Sequence, residues 1–180
     1  MKPLSRPGNH QKIITVVQGD YAVSADPSVV MSTVLGSCIA VCLYDQTAGV
    51  GGMNHFLLAT QGGHSSRDLK YGVNAMELLI NKVLQAGGDR RRLVAKMFGG
   101  ARMTDHARDI GRSNAEFAAD FLEREGIPCL SQSVGGERAR RVQFTPTTGA
   151  ARQMQISGPA PEPIVVAPPA AAKVDDITLF

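Results

Sequence analysis

Apolar residues fall in short, turn-bounded runs through the first third of the chain, then switch to a helical repeat. The β-branched run at 13–17 ends at Gly19-Asp20 and predicts a first strand, and a brief apolar stretch at 21–23 precedes the turn signal Asp26-Pro27-Ser28. Residues 29–35 predict the next strand, broken at Gly36-Ser37. The apolar run at 38–44 is too short for a typical helix and is bounded by turn residues, which predicts a buried strand. The chain turns at 45–49 and returns along 50–58, a hairpin that carries His55 back towards the level of Cys38. A polar loop is expected at 59–67. Beyond it Val73, Met76, Leu79, Ile80, Val83 and Leu84 recur at helical spacing until Gly87-Gly88. A strand at 93–98 closes on Gly99-Gly100. Ser113 with Glu116 has the form of a capping box opening a second helix through Phe117, Phe121 and Leu122, which Gly126 and Pro128 stop. Runs at 129–134, 138–144 and 152–156 predict three further strands. The pattern as a whole predicts an α/β (α+β) layered sandwich, a mixed β-sheet with two main helices.

Both ends differ from this pattern. Residues 1–11 mix Pro, Gly and charge without periodicity and are expected to be a disordered arm. Residues 158–180 form a Pro/Ala-rich tail ending in V-D-D-I-T-L-F, read either as solvated or as a short docking peptide. That leaves 12–157 as the one folded domain. A formal charge of +3, no Trp and no Lys/Arg run longer than Arg90 to Arg92 argue against a dedicated nucleic-acid binder. No apolar run is long enough to cross a membrane, and the polar first residues lack the apolar core of a signal peptide. A cytoplasmic protein with free thiols is the expectation.

The candidate chemistry lies at Cys38, directly after the bend Leu35-Gly36-Ser37, with His55 seventeen residues further on and the hydroxyls of Ser32 and Thr33 close by in the chain. A thiol, an imidazole and a hydroxyl are the parts of a thiolate nucleophile with an oriented base. The Gly36-Ser37 bend leaves backbone N–H groups near Cys38 free to bind an oxyanion. Cys42 and Cys129 read as packing. A zinc site at Cys38, Cys42 and His55 is excluded by geometry. Residues four apart on a strand stand roughly 13 Å from each other, too far for two thiolates bound to one ion at about 2.3 Å. No cofactor or metal is called for. His10, His64 and His106 fall in polar segments and are expected to face solvent. Glu137, Arg138, Arg140 and Arg141 form a charged cluster, read as a solvated strand edge or as a substrate or partner contact. Gly99-Gly100 lacks the lysine of a phosphate loop.

At L-G-S-C-I-A-V-C-L-Y-D and G-G-M-N-H-F-L-L the sequence resembles the CheD family of chemoreceptor glutamine deamidases. The resemblance continues through Tyr71-Gly72, Ala75-Met76, Phe98-Gly99-Gly100-Ala101, Ile110-Gly111-Arg112-Ser113-Asn114 and G-G-E-R-A-R-R-V-Q-F. It implies a layered fold similar to the catalytic domain of cytotoxic necrotizing factor toxins and a Cys-His-Thr triad. Cys38 and His55 fall on the nucleophile and the base. The threonine position, six residues before the cysteine, holds Ser32, with Thr33 beside it. Only one of these neighbours can face the imidazole from a strand; register favours Ser32, with Thr33 as the alternative. The resemblance further implies deamidation of glutamines on chemoreceptor cytoplasmic helices, location at receptor arrays, and a CheC-type phosphatase or other chemotaxis protein as a partner. A non-catalytic receptor-binding adaptor is the alternative function, and a cysteine peptidase a more distant one.

Overall fold

The computed structural model describes residues 10–58, 66–103 and 110–157. Among these residues nine strands and two α-helices stack in three layers. One layer is a four-stranded sheet in the order β1 (Lys12–Thr15), β3 (Val29–Leu35), β8 (Arg140–Thr145), β9 (Ala150–Gln155). The middle layer has five strands in the order β2 (Tyr21–Ser24), β5 (Val50–Asn54), β4 (Ile39–Asp45), β6 (Val94–Gly99), β7 (Cys129–Val134). Each sheet is mixed, with one parallel pair, β1–β3 in the first and β6–β7 in the second. The helices α1 (Ser66–Gln85) and α2 (Ile110–Arg124) form the third layer.

Strand β4 is buried along its whole length because it has a covered face on either side. Its odd residues Ile39, Val41 and Leu43 pack under Leu79, Ile80, Val83, Ala118 and Leu122 of the helices. Its even residues Ala40, Cys42 and Tyr44 meet Met31, Leu35, Val142 and Phe144 of the opposite sheet. Tyr44 and Phe144 stack across that inter-sheet core with ring centroids 5.9 Å apart. A continuous apolar run is what period-2 alternation becomes when both faces are dry.

The expected layered mixed α+β class is observed, with the strands divided between two sheets rather than gathered in one. Three local expectations need correction. Helix α2 begins at Ile110, so Ser113 and Glu116 lie inside it and do not form a capping box. Ile110 packs on the inter-sheet core and Gly111 is buried, and this tertiary packing extends the helix beyond its local signal. Helix α1 begins at Ser66, so Arg67 belongs to its first turn rather than to a loop. Cys129 is exposed rather than packed, because β7 is an edge strand whose first four residues face solvent. The expectations for the residue 1–9 portion of the arm, the residue 59–65 portion of the loop with His64, His106 and the 158–180 tail fall outside the described residues.

Candidate active site

The β4–β5 hairpin brings the two candidate reacting groups to one face. Cys42 stands opposite Met53, and the isolated bridge Ile39–Phe56 continues the same antiparallel register. Its two backbone bonds, Ile39 N to Phe56 O and Phe56 N to Ile39 O, are 3.0 and 2.9 Å. That register sets Cys38 opposite Leu57 and Ala40 opposite His55, so Cys38 and His55 are diagonal neighbours on the inter-sheet face. Both are buried, 5% and 6% exposed.

The third group comes from the opposite sheet. Thr33 Oγ1 lies 2.8 Å from His55 Nδ1 and donates its proton to the Val16 carbonyl at 2.6 Å. A hydroxyl has one proton, so Thr33 accepts from the ring, and Nδ1 carries the hydrogen. Val16 O also lies 3.3 Å from Nδ1 and reinforces that tautomer. Nε2 is left as the lone-pair nitrogen, buried and without a hydrogen-bond partner. Of the two neighbouring hydroxyls, Thr33 rather than the favoured Ser32 meets the imidazole. Met31, Thr33 and Leu35 alternate onto the inter-sheet face, while Ser32 points to the other side of its sheet.

Burial sets the charge states. It pushes the Cys38 thiol up to about 12, only partly offset by the residue's own amide N–H. It holds His55 below the ordinary histidine value, against the opposing pull of the Val16 carbonyl and Asp20. The resting pair at neutral pH is a thiol and a neutral imidazole. No hydrogen bond joins the thiol to either nitrogen of His55. Cys38 Sγ donates instead to Gln18 Oε1 at 3.6 Å.

Gln18 went unnoticed in the sequence because it sits in a turn between two short strands, far along the chain from Cys38. The turn is pinned to the base: Gly19 N donates to His55 O at 2.7 Å, and His55 N to Asp20 O at 3.0 Å. Tyr71 of α1 stands close to the same turn, with burial and then the nearby Cys38 and Asp20 raising its phenol pKa.

Asn114 is a second residue that local reasoning missed. It is fully buried on α2. Its Oδ1 accepts from Leu58 N at 3.0 Å and its Nδ2 donates to Ser37 O at 2.9 Å, tying together the segments that follow His55 and precede Cys38. An asparagine among Gly111, Ala118, Phe121 and Leu122 on one helix face is the signal that could have found it. Gly36 O accepts from Ala101 N at 2.9 Å and Cys38 O from Gly100 N at 2.8 Å. Among the described residues no backbone acceptor takes the N–H groups of Ser37 or Cys38.

The charged cluster divides. Arg140 is buried rather than solvated, donating to the carbonyls of Ser133 and Gly135, whereas Glu137, Arg138 and Arg141 are exposed. Glu137 borders two open clefts of about 450 and 470 Å3 around Gly135-Gly136, and Arg138 the second of them; neither cleft is lined by Cys38 or His55. Among the described residues no cluster of His, Cys, Asp or Glu is arranged to hold a metal, and no helix is long and apolar enough to cross a membrane.

Comparison with known proteins places the chain in a family. Residues 57–155 match the family model described as CheD chemotactic sensory transduction. The chain is 56% identical over 144 residues to a probable chemoreceptor glutamine deamidase CheD 1 of Ruegeria sp. (strain TM1040), covering 80% of this chain and 77% of that one. It is 47% identical over 168 residues to a probable chemoreceptor glutamine deamidase CheD of Agrobacterium fabrum, covering 85% and 93%. Among solved structures, a Neisseria meningitidis protein of family DUF152 aligns with a TM-score of 0.44 at 12% identity, over 70% of this chain and 63% of that one. The sequence relatives decide the assignment: the chain belongs to the CheD family.

Proposed function

We propose that this protein is a chemoreceptor glutamine deamidase in which Cys38 is the nucleophile, His55 the base and Thr33 the group that orients it. The observation that carries the reading is the Thr33–His55 contact. It commits the proton to Nδ1 and leaves Nε2 as a free lone pair on the face that holds Cys38. The relatives' names supply the substrate, a glutamine side chain of a chemoreceptor.

The reaction follows from the resting charge states. Because the thiol is held near 12, it does not ionise in advance. His55 Nε2 takes the proton as Sγ attacks the carboxamide carbon. The carbonyl oxygen becomes an oxyanion next to the N–H groups of Ser37 and Cys38, which no backbone acceptor takes among the described residues, with Gly36 giving the turn its shape. His55 then protonates the departing ammonia, leaving a thioester. Water deprotonated by the same Nε2 attacks the thioester and expels the thiolate, which recovers its proton. Glutamine has become glutamate, and one water has been consumed for one ammonia released. The chemistry asks for no cofactor or metal.

Intact-mass measurement on a receptor cytoplasmic fragment tests this. The native protein is expected to add about 1 Da per modified glutamine and to release ammonia, and Cys38→Ala to do neither. Receptor binding with no mass gain from either protein would replace the enzyme by a non-catalytic adaptor. The same reading places the protein at cytoplasmic receptor arrays. Co-purification with a CheC-type phosphatase tests that second partner.

A further inference from the structure

We propose that Asn114 is a positioning residue for the deamidation, acting through the Ser37–Cys38 peptide to aim the Cys38 N–H at the oxyanion. The inference rests on the deamidase reading above. It begins with one rigid unit. The peptide bond is trans, so its carbonyl and its N–H point in opposite directions. Whatever holds Ser37 O therefore also aims Cys38 N–H. The holder is Asn114 Nδ2, at 2.9 Å.

The neighbouring carbonyls, Gly36 O and Cys38 O, are held by the backbone N–H groups of Ala101 and Gly100. Three successive carbonyls are thus tied to protein, and the intervening N–H groups of Ser37 and Cys38 are left without backbone acceptors among the described residues. Two of the ties come from main chain that any sequence would supply. The third, on the peptide that contains the nucleophile's own N–H, depends on one side chain.

That side chain is an unusual choice for its place. Asparagine is a poor helix former, and Asn114 is fully buried in α2. Only a carboxamide offers a donor and an acceptor on one planar group, and both are used, Oδ1 on Leu58 N and Nδ2 on Ser37 O. Gly111, one turn earlier on the same face, lets the helix come close enough for Asn114 to reach. A Cβ there would collide with the carbonyl oxygens of Gly100 and Ala101. A purely structural staple would hold the fold without affecting one chemical step more than another. A positioning residue has to affect the step that builds negative charge on oxygen.

Two reactions of Cys38 separate those roles. Deamidation builds an oxyanion, whereas disulfide exchange with methyl methanethiosulfonate occurs at sulfur and does not. In the full chain carrying Cys129→Ser, to remove the exposed thiol, Asn114→Asp keeps an acceptor for Leu58 N and loses the donor to Ser37 O. The expected result is a kcat for receptor deamidation lower by roughly 100-fold, with KM and the exchange rate at Cys38 each changed by no more than about twofold. An unchanged kcat, or a kcat and exchange rate that fall together, would overturn the proposal. If Asn114→Asp does not fold, Asn114→Ser, too short to reach Ser37 O, is read in the same way. A native protein with no deamidation overturns the enzyme reading and this proposal with it. A native protein that deamidates beside a fully active variant overturns this proposal alone.

Discussion

The Val16 carbonyl oxygen lies within hydrogen-bonding distance of both the threonine hydroxyl and the imidazole, and through them it sets which nitrogen of His55 is basic. Thr33→Val removes the acceptor that fixes the Nδ1 proton, and kcat is expected to fall roughly 10- to 100-fold in steady-state assays, within the range of general-base effects. Ser32→Ala, on the far side of the strand, is expected to leave kcat near the native value. The protonation of His55 gives a second test. Its pKa is below the ordinary 6.5 because burial opposes the charged form. The proposed mechanism needs the neutral ring, so kcat/KM should hold as pH falls through 6.5 and decline only below it. The same shift bears on stability. Between the folded and unfolded values the unfolded chain binds the extra proton, so acidification through that window destabilises the fold. Gln18 gives a third test. A substrate carboxamide must displace its Oε1 from Sγ, so Gln18→Ala should raise kcat/KM roughly two- to fivefold, the loss of one weak hydrogen bond.

At the scale of elements, the hairpin made the site partly legible from sequence. Two apolar runs around a five-residue turn at 45–49 were enough to return His55 towards Cys38, because antiparallel register follows from local pattern. The choice between Ser32 and Thr33 was not legible. Alternation says that one of the pair faces inward, but which one depends on β3 pairing with β8 and facing the middle sheet, more than a hundred residues later in the chain. The division into two sheets was hidden for the same reason. Asn114 and Gln18 escaped because their partners are distant in sequence and close only after folding. Gly99 is where two strands meet closely beside the site. Its φ of 111° is hostile to other residues, and a Cβ there would strike the Cys38 carbonyl. Gly99→Ala is expected to lower stability by about 1–3 kcal/mol in denaturant titration and to reduce kcat, since the clash falls on the nucleophile's own peptide.

Across the whole molecule, the end of β4 remote from Cys38 is fastened by an ionic network. The fully buried Asp45 accepts from Ala48 N at 3.1 Å and Asp89 N at 2.9 Å, and pairs with Arg92 at 2.9 Å. Burial raises its pKa, and the Arg92 guanidinium with the two N–H groups more than offsets this, bringing it down to about 2. The depressed carboxyl contributes stability that is present above the unfolded value and lost as pH falls towards 2. Asp45→Ala is expected to cost about 2–3 kcal/mol by thermal or chemical unfolding at neutral pH, leaving KM for the receptor unchanged.

The origin of the three site groups has a last consequence. Cys38 and His55 ride on the middle sheet, while Thr33, on β3, belongs to the outer one. The imidazole is therefore aligned only while the two sheets are docked, and turnover becomes a gauge of that docking. A ligand or partner that loosened the seam around Met31, Leu35 and Phe144 would silence the enzyme from behind, with Cys38 and His55 still side by side on their own sheet.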